Sequence, residues 1–93
     1  MSVQILMSTY NGEKYIRTQL NSILEQDYRD MGILIRDDGS TDATREIIKE
    51  YAEKYSNITW YAGKNIGVQK SFFDLITKAD LEKDYYAFAD QDD

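Results

Sequence analysis

The sequence contains no cysteine, no histidine and no proline among its 93 residues. Without cysteine, a disulfide framework and thiolate-ligated zinc or iron–sulfur sites are excluded. Without histidine, the usual general base and the commonest ligand of transition metals are also missing. Any chemistry must therefore use carboxylates, hydroxyls, amides, lysines and arginines, and such groups favour a hard cation over zinc or copper.

Basic residues are also scarce, since 11 lysines and arginines face 17 acidic residues and give a net charge of −6. This balance disfavours binding to nucleic acid or to an anionic membrane surface, which would need a basic stripe. The length and the 42% hydrophobic content predict one small globular domain over residues 1–93. The N-terminus has a short apolar run without a basic leader, so we expect neither signal peptide nor anchor, and a cytoplasmic location.

Apolar residues along the chain alternate between two periods. Continuous apolar runs predict four strands, which lie at Val3–Met7, 33–35, Ile58–Tyr61 and Tyr85–Ala89. Apolar stripes with helical spacing lie between them and predict three helices. Their members are Tyr15, Ile16, Leu20, Ile23 and Leu24, then Ile47, Ile48, Tyr51, Ala52 and Tyr55, then Val68, Phe72, Leu75, Ile76 and Ala79. The alternation predicts an α/β, Rossmann-like βαβαβαβ fold with a parallel four-stranded sheet.

Polar residues of the kind that begin helices precede the first two stripes. Asn11 is the predicted N-cap of the first helix. Ser40 or Thr41 is the predicted N-cap of the second, with Asp42 in its first turn.

Polar clusters follow three of the four predicted strands. They are Ser8-Thr9-Tyr10-Asn11, Asp37-Asp38-Gly39-Ser40 and Asp90-Gln91-Asp92-Asp93. Ligands of open parallel sheets bind outside the carboxyl ends of the strands, so we expect the three clusters to line one site.

The pair Asp37-Asp38 has two interpretations. The following Gly39, with a positive φ, and Ser40 could simply make a loop that caps the next helix. That loop does not explain two adjacent carboxylates, which repel each other. One of them is better explained as the acceptor of a hydrogen bond from a ribose hydroxyl or a base N–H.

The first and last clusters also have two interpretations each. A helix cap and a turn explain Asn11 and Gly12, whereas Ser8, Thr9 and Tyr10 could instead offer hydroxyls and a ring face to a nucleobase. The final acids could be a solvated acidic end. Alternatively, Asp90 and Asp92 could both reach one Mg²⁺ or Mn²⁺, which would bridge the oxygens of a diphosphate.

Four segments in this order carry a resemblance to a known family: "MSTYNGEKYIRTQLNSILEQDY", "ILIRDDGSTDATREII", "NIG" and "YYAFADQDD". Together they resemble the N-terminal nucleotide-binding half of family-2 glycosyltransferases of the GT-A fold, in the rhamnosyltransferase-like branch of bacterial polysaccharide enzymes. The resemblance implies that Ser8, Thr9 and Tyr10 line a base and ribose pocket. It also implies that Asp38 binds a pyrimidine base with Asp37 beside it, and that Asn65 and Gly67 form the family's "NxG" loop.

The same resemblance implies a DxD motif at Asp90 and Asp92, with Asp92 and Asp93 contacting ribose and metal. The parent enzyme would transfer a sugar from a UDP- or dTDP-sugar to a cell-surface glycan acceptor, with inversion, while peripheral to the inner face of the membrane. Such enzymes extend past the DxD into an acceptor-binding half with the catalytic carboxylate. We therefore expect residues 1–93 to be a donor-binding portion, truncated after the DxD and inactive alone.

Two other classes of function remain open from the sequence. One is a complete, non-catalytic α/β module that binds a nucleotide or a metal. The other is a phosphoacceptor signalling domain, which fits poorly because its acid pair should follow the first strand rather than the second.

The resemblance also has a consequence for assembly. A strand order of 3-2-1-4 would leave the fourth strand at an edge, with Tyr85, Tyr86 and Phe88 on it. We expect an unpaired, largely apolar edge to favour a homo-oligomer.

Overall fold

The computed structural model describes residues 2–26, 30–79, 83 and 85–90. It contains the predicted alternation of strands and helices. The elements are β1 (Ser2–Thr9), α1 (Ile16–Leu24), β2 (Asp30–Asp37), α2 (Thr44–Lys54), β3 (Ile58–Ala62), α3 (Val68–Lys78) and β4 (Tyr85–Asp90). Each apolar run predicted to be a strand lies within one of these strands, so the predicted βαβαβαβ order is confirmed.

The sheet is parallel throughout and has the order β3-β2-β1-β4. The register pairs Thr9 with Asp37 across β1 and β2, and it pairs Ser8 with Asp90 across β1 and β4. The ends of these three strands therefore meet at one edge of the sheet, as predicted. Within the described residues, β4 pairs with β1 alone and is an edge strand.

The core has two parts, one on each face of the sheet. The larger cluster packs β1 and β2 side chains against α1 and α2, with Ile16, Leu20 and Ile48 fully buried. The smaller cluster joins Leu6 and Leu34 to Leu75 of α3. Burying each such side chain contributes roughly 1.5–3 kcal/mol. The sheet is therefore held between two layers, which fixes the strand ends that carry the polar clusters.

The predicted N-cap of α1 is wrong. The helix begins at Ile16 after Tyr15, and no side chain caps it. Asn11 lies upstream with a φ of 49°, a left-handed conformation that asparagine tolerates better than most residues. Its Oδ1 accepts a 2.8 Å hydrogen bond from the backbone N–H of Thr41. The side chain therefore joins two loops instead of starting a helix.

The predicted start of α2 is also wrong. The helix begins at Thr44 after Ala43, so neither Ser40 nor Thr41 is its N-cap, and Asp42 precedes its first turn. Asp42 Oδ1 accepts a 2.9 Å hydrogen bond from the Thr44 N–H. Although burial alone would raise the pKa of Asp42, hydrogen bonds from Thr44 hold it below its ordinary value. Asp42 therefore lies just before the helix and accepts a hydrogen bond from the backbone N–H of its first residue.

No helix in the described ranges combines the length and the apolar character that crossing a membrane would require.

Candidate functional site at the carboxyl edge of the sheet

A fully buried carboxylate joins the ends of β1 and β2. Asp37 Oδ1 accepts hydrogen bonds from Thr9 Oγ1 at 2.9 Å and from Ser40 Oγ at 2.6 Å. Its Oδ2 accepts a further one from the Ser40 N–H at 2.9 Å. Thr9 ends β1 and Ser40 follows β2, so Asp37 fixes the end of β1 relative to the loop after β2.

The second carboxylate of the pair, Asp38, is also buried, and it holds the loop that leads into α3. Its Oδ1 accepts from Arg36 Nη1 at 2.6 Å and from the Ile66 N–H at 2.9 Å. Its Oδ2 accepts from the Gly67 N–H at 3.0 Å and from Asn65 Nδ2 at 3.2 Å. The predicted site residues Asp38 and Asn65 are thus brought into direct contact.

Sequence reasoning missed Arg36, whose side chain is buried beneath this loop. Besides Asp38, the guanidinium donates to Ser71 Oγ and to the Lys64 carbonyl, both at 3.0 Å. Its Nε lies 3.4 Å from a carboxylate oxygen of Asp74. The available signal was an arginine placed directly between the apolar run "ILI" and the acid pair.

The three predicted residues at the end of β1 differ in accessibility. Ser8 and Thr9 are buried, and Ser8 Oγ donates a 2.6 Å hydrogen bond to Ser71 Oγ of α3. Tyr10, by contrast, is 47% exposed. The hydroxyls of Ser8 and Thr9 therefore build the floor of this edge, while the ring of Tyr10 is accessible to a ligand.

The loops after β1 and β2 are joined to each other through hydroxyl groups. The Asn11 N–H donates to Ser40 Oγ and the Gly12 N–H donates to Thr44 Oγ1, both at 2.8 Å. This edge of the sheet is consequently a connected hydrogen-bonded surface rather than a set of separate loops.

Most of the predicted metal site lies outside the described residues. The backbone of Asp90 lies beside Ser8 at this edge, while Asp92 and Asp93 lie outside the described residues. Among the residues that are described, no three acidic side chains cluster closely enough to hold a metal ion. The residues predicted as ligands offer only oxygen donors, a set that fits Mg²⁺ or Mn²⁺ and not a soft metal.

Residues 4–93 match the family described as "Glycosyl transferase family 2", and the chain belongs to that family. The family resemblance and the glycosyltransferase class expected from the sequence are thereby confirmed. The match covers nearly the whole chain, including the segments after β1, β2 and β4.

Similar proteins include a curated relative and two solved structures. The dTDP-rhamnosyl transferase RfbG of Shigella flexneri is 47% identical over 91 residues, which cover 94% of this chain and 32% of that protein. The crystal structure of S. aureus TarS in complex with UDP-GlcNAc matches with a TM-score of 0.87 and 32% identity, over 99% of this chain and 27% of that one. The mannosyltransferase PcManGT from Pyrobaculum calidifontis, in complex with GDP-Man and Mn²⁺, matches with a TM-score of 0.77 and 25% identity, over 84% and 24% of the two chains.

These likenesses confirm the predicted fold as the N-terminal, Rossmann-like half of a GT-A domain. The chain spans about a third of the length of RfbG.

Proposed function

We propose that this chain holds the nucleotide-sugar donor of a glycosyltransferase, and that the donor is a UDP- or dTDP-sugar. The observation that carries the proposal is the connected surface at the carboxyl ends of β1 and β2, where Asp37 and Asp38 organise both strand ends. That edge is where open parallel sheets bind ligands. The choice of nucleotide is supported by two similar proteins, one named as a dTDP-rhamnosyl transferase and one solved with UDP-GlcNAc.

We assign the base and ribose pocket to Ser8, Thr9, Tyr10, Asp37 and Asp38, with Asn65 on the side of α3. Tyr10 would contact the base or ribose through its exposed ring. Thr9 and Asp37 would act by holding the pocket in shape, because their polar atoms already bind each other. Asp38 would offer a buried negative charge to a base N–H, in addition to or in place of one of its present donors.

We assign the cation to Asp90, Asp92 and Asp93, with Mg²⁺ or Mn²⁺ as the ion. When bound, such a cation would stabilise the negative charge that develops on the departing diphosphate. The charge of the protein supports the need for it, since a chain of net charge −6 repels an anionic nucleotide.

For the parent enzyme we propose transfer to a cell-surface polysaccharide acceptor with inversion, on the cytoplasmic side. Inversion requires a base within hydrogen-bond reach of the acceptor hydroxyl. The acids assigned above are committed to the pocket or the cation, and a cation lowers the basicity of a carboxylate that binds it. We therefore assign the base, like the acceptor site, to a part of the parent enzyme other than residues 1–93.

Isothermal calorimetry of the chain with UDP and with dTDP tests the proposal, with and without Mn²⁺ and with GDP as the control nucleotide. We expect binding of a pyrimidine nucleotide that is tighter with Mn²⁺ than without it. Absence of binding by both pyrimidine nucleotides in the presence of Mn²⁺ would contradict the proposed function.

A further inference from the structure

We propose that Arg36 is a positioning residue of the donor site. Its guanidinium would set the orientation of Asp38 and the shape of the clamp loop, which we define as residues 63–67. The effect on donor binding rests on the proposed function. The effect on the loop rests on the geometry of these residues alone.

The backbone of Arg36 cannot shift easily, because it lies in the middle of the sheet. Its register partners are Ser8 on β1 and Tyr61 on β3. The side chain is 5% exposed and extends towards α3, where it meets Ser71 and Asp74. A planar guanidinium with fixed donor directions, mounted on such a backbone, defines where its acceptors must lie.

The clamp loop is shaped around this guanidinium at Gly63. A Cβ atom added to Gly63 would lie 2.2 Å from Nη2 and 2.9 Å from Cζ of Arg36. Real Cβ atoms do not approach other heavy atoms so closely, so a side chain at position 63 would displace the guanidinium. The same loop presents the Lys64 carbonyl to Nη2 at 3.0 Å. Arg36 therefore contacts the loop at two successive residues.

Asp38 links the arginine to the far end of the loop. Its Oδ1 accepts hydrogen bonds from the Arg36 guanidinium and from the Ile66 N–H. Its Oδ2 accepts a hydrogen bond from the Gly67 N–H. Since both side chains are about 95% buried, removing the arginine would leave a buried carboxylate without its closest cation. Asp38 would then rotate or rehydrate, and the two backbone donors would lose an acceptor held in place.

Because the guanidinium is a planar fork with several donors, a lysine variant can distinguish a positioning role of Arg36 from simple pairing of its charge with Asp38. Lysine at position 36 would keep a positive charge, but one ammonium cannot reach Asp38, Ser71 and the Lys64 carbonyl in the same directions. A positioning role therefore predicts that lysine fails to restore the site. A role limited to charge neutralisation predicts that lysine restores it.

The test compares the parent chain with Arg36→Lys, Arg36→Ala, Gly63→Ala and the double variant Arg36→Ala/Gly63→Ala. Ile47→Val is the control, because Ile47 belongs to the core cluster on the other face of the sheet. Two quantities are measured for each: hydrogen exchange of the Ile66 and Gly67 amides by NMR, and affinity for UDP and dTDP with Mn²⁺ by calorimetry. If Arg36→Ala does not fold, the proposal is still tested by the exchange rates and affinities of Gly63→Ala and Arg36→Lys.

We expect Arg36→Lys and Gly63→Ala each to speed the exchange of both amides and to weaken nucleotide binding by roughly tenfold or more. Ile47→Val should change neither relative to the parent. Because Gly63→Ala acts through the guanidinium, it should have little further effect once Arg36 is alanine, which is the non-additivity expected of contacting residues.

Unchanged exchange of Ile66 and Gly67 in Arg36→Lys and Gly63→Ala would overturn the proposal. So would parent-like nucleotide affinity in Arg36→Lys. If the parent itself binds no nucleotide, the proposed function fails and the donor-binding role of Arg36 fails with it. The exchange rates would then still decide, separately, whether Arg36 positions the loop.

Discussion

The phenolic oxygen of Tyr61 donates a 2.6 Å hydrogen bond to Asp74, and this contact joins the edge strand β3 to α3. Burial, together with the neighbouring Asp74 carboxylate, raises the pKa of Tyr61, while the hydrogen bond from Tyr61 lowers the pKa of Asp74. The Lys78 ammonium lies 3.3 Å from Asp74 and 5.2 Å from the centre of the Tyr61 ring. Near neutral pH, Asp74 is therefore ionised and accepts a charge-assisted hydrogen bond.

Replacing Tyr61 with phenylalanine should lower the free energy of unfolding by about 1 kcal/mol, because a hydrogen bond to a partly exposed carboxylate is lost. Urea denaturation at pH 7 measures the change. Tyr15→Phe is the matched control, since Tyr15 is 44% exposed and should tolerate the loss of its hydroxyl. Equal stability changes in the two variants would show that the Tyr61–Asp74 bond contributes nothing.

The difference in stability between the parent and Tyr61→Phe should also depend on pH. The pKa of Asp74 is lower in the folded protein than its ordinary value of 3.8. Stabilisation from a lowered pKa is present above the unfolded value and is lost as the pH falls through the folded one. The difference measured at pH 7 should therefore shrink when urea denaturation is repeated below pH 3.8. A difference that stays constant or grows would contradict the assignment.

Removal of the Asp37 carboxylate should be among the most damaging single changes at this edge. Asp37→Ala leaves the hydroxyl of Thr9 and two donors of Ser40 without their acceptor in a buried place. We expect a loss of about 3–5 kcal/mol in the free energy of unfolding. Asp30→Ala is the control, because the Asp30 side chain is 66% exposed and a surface ion pair contributes little. A loss no larger than that of the control would mean that Asp37 does not hold the strand ends.

Asp92→Asn tests the assignment of the cation. We expect at least a tenfold loss of nucleotide affinity in the presence of Mn²⁺, which corresponds to about 1.4 kcal/mol. The free energy of unfolding should barely change, because the substitution removes one of several like charges. Calorimetry with and without Mn²⁺ measures the effect, and Glu53→Gln on α2 is the control. Parent-like binding of Mn²⁺ and nucleotide by Asp92→Asn would refute the DxD assignment.

Self-association is predicted through β4, whose outer side pairs with no strand among the described residues. Phe73 and Phe88 are 68% and 58% exposed, and they border a groove of 530 Å³ between α3 and β4. We expect a dimer or higher oligomer at micromolar concentration, through this apolar edge. Phe88→Lys should weaken it, whereas Thr59→Lys on the opposite edge strand should not. Light scattering over a wide concentration range measures the mass, and a monomer throughout would show the prediction to be wrong.

The strands could be predicted because they depend on local pattern and on a few topological rules, whereas their order in the sheet was implied by the resemblance to the family. "ILI" at 33–35 and its counterparts are too apolar for loops, and the helical stripes between them require parallel crossovers. The apolar stripe that predicted α3 is only partly buried in the structure. Its members Val68 and Ile76 are 58% and 46% exposed, and within the part of the chain that the structure describes no strand lies beyond β4 to cover them.

The helix starts and Arg36 could not be predicted because their roles depend on partners far along the chain. Asn11 has the composition of an N-cap, yet its side chain binds Thr41, thirty positions away. Ser40 Oγ likewise accepts a hydrogen bond from the N–H of Asn11, which is 29 positions away, and donates to Asp37. Arg36 lies in a strand where an isolated charge predicts exposure. Its burial depends on a serine of α3 and on the space left by Gly63.

We expect the position of β1 in the centre of the sheet to set the order in which the strands pair during folding. Residues that pair between β1 and β2 are about 30 positions apart in the sequence, whereas those that pair between β1 and β4 are about 80 positions apart. The longer closure costs about 1 kcal/mol more in chain entropy. During synthesis, β3-β2-β1 can assemble before β4 leaves the ribosome. The strand ends organised by Asp37 and Asp38 would then be in place before Asp90 arrives beside Ser8, so β4 would join a surface that has already formed.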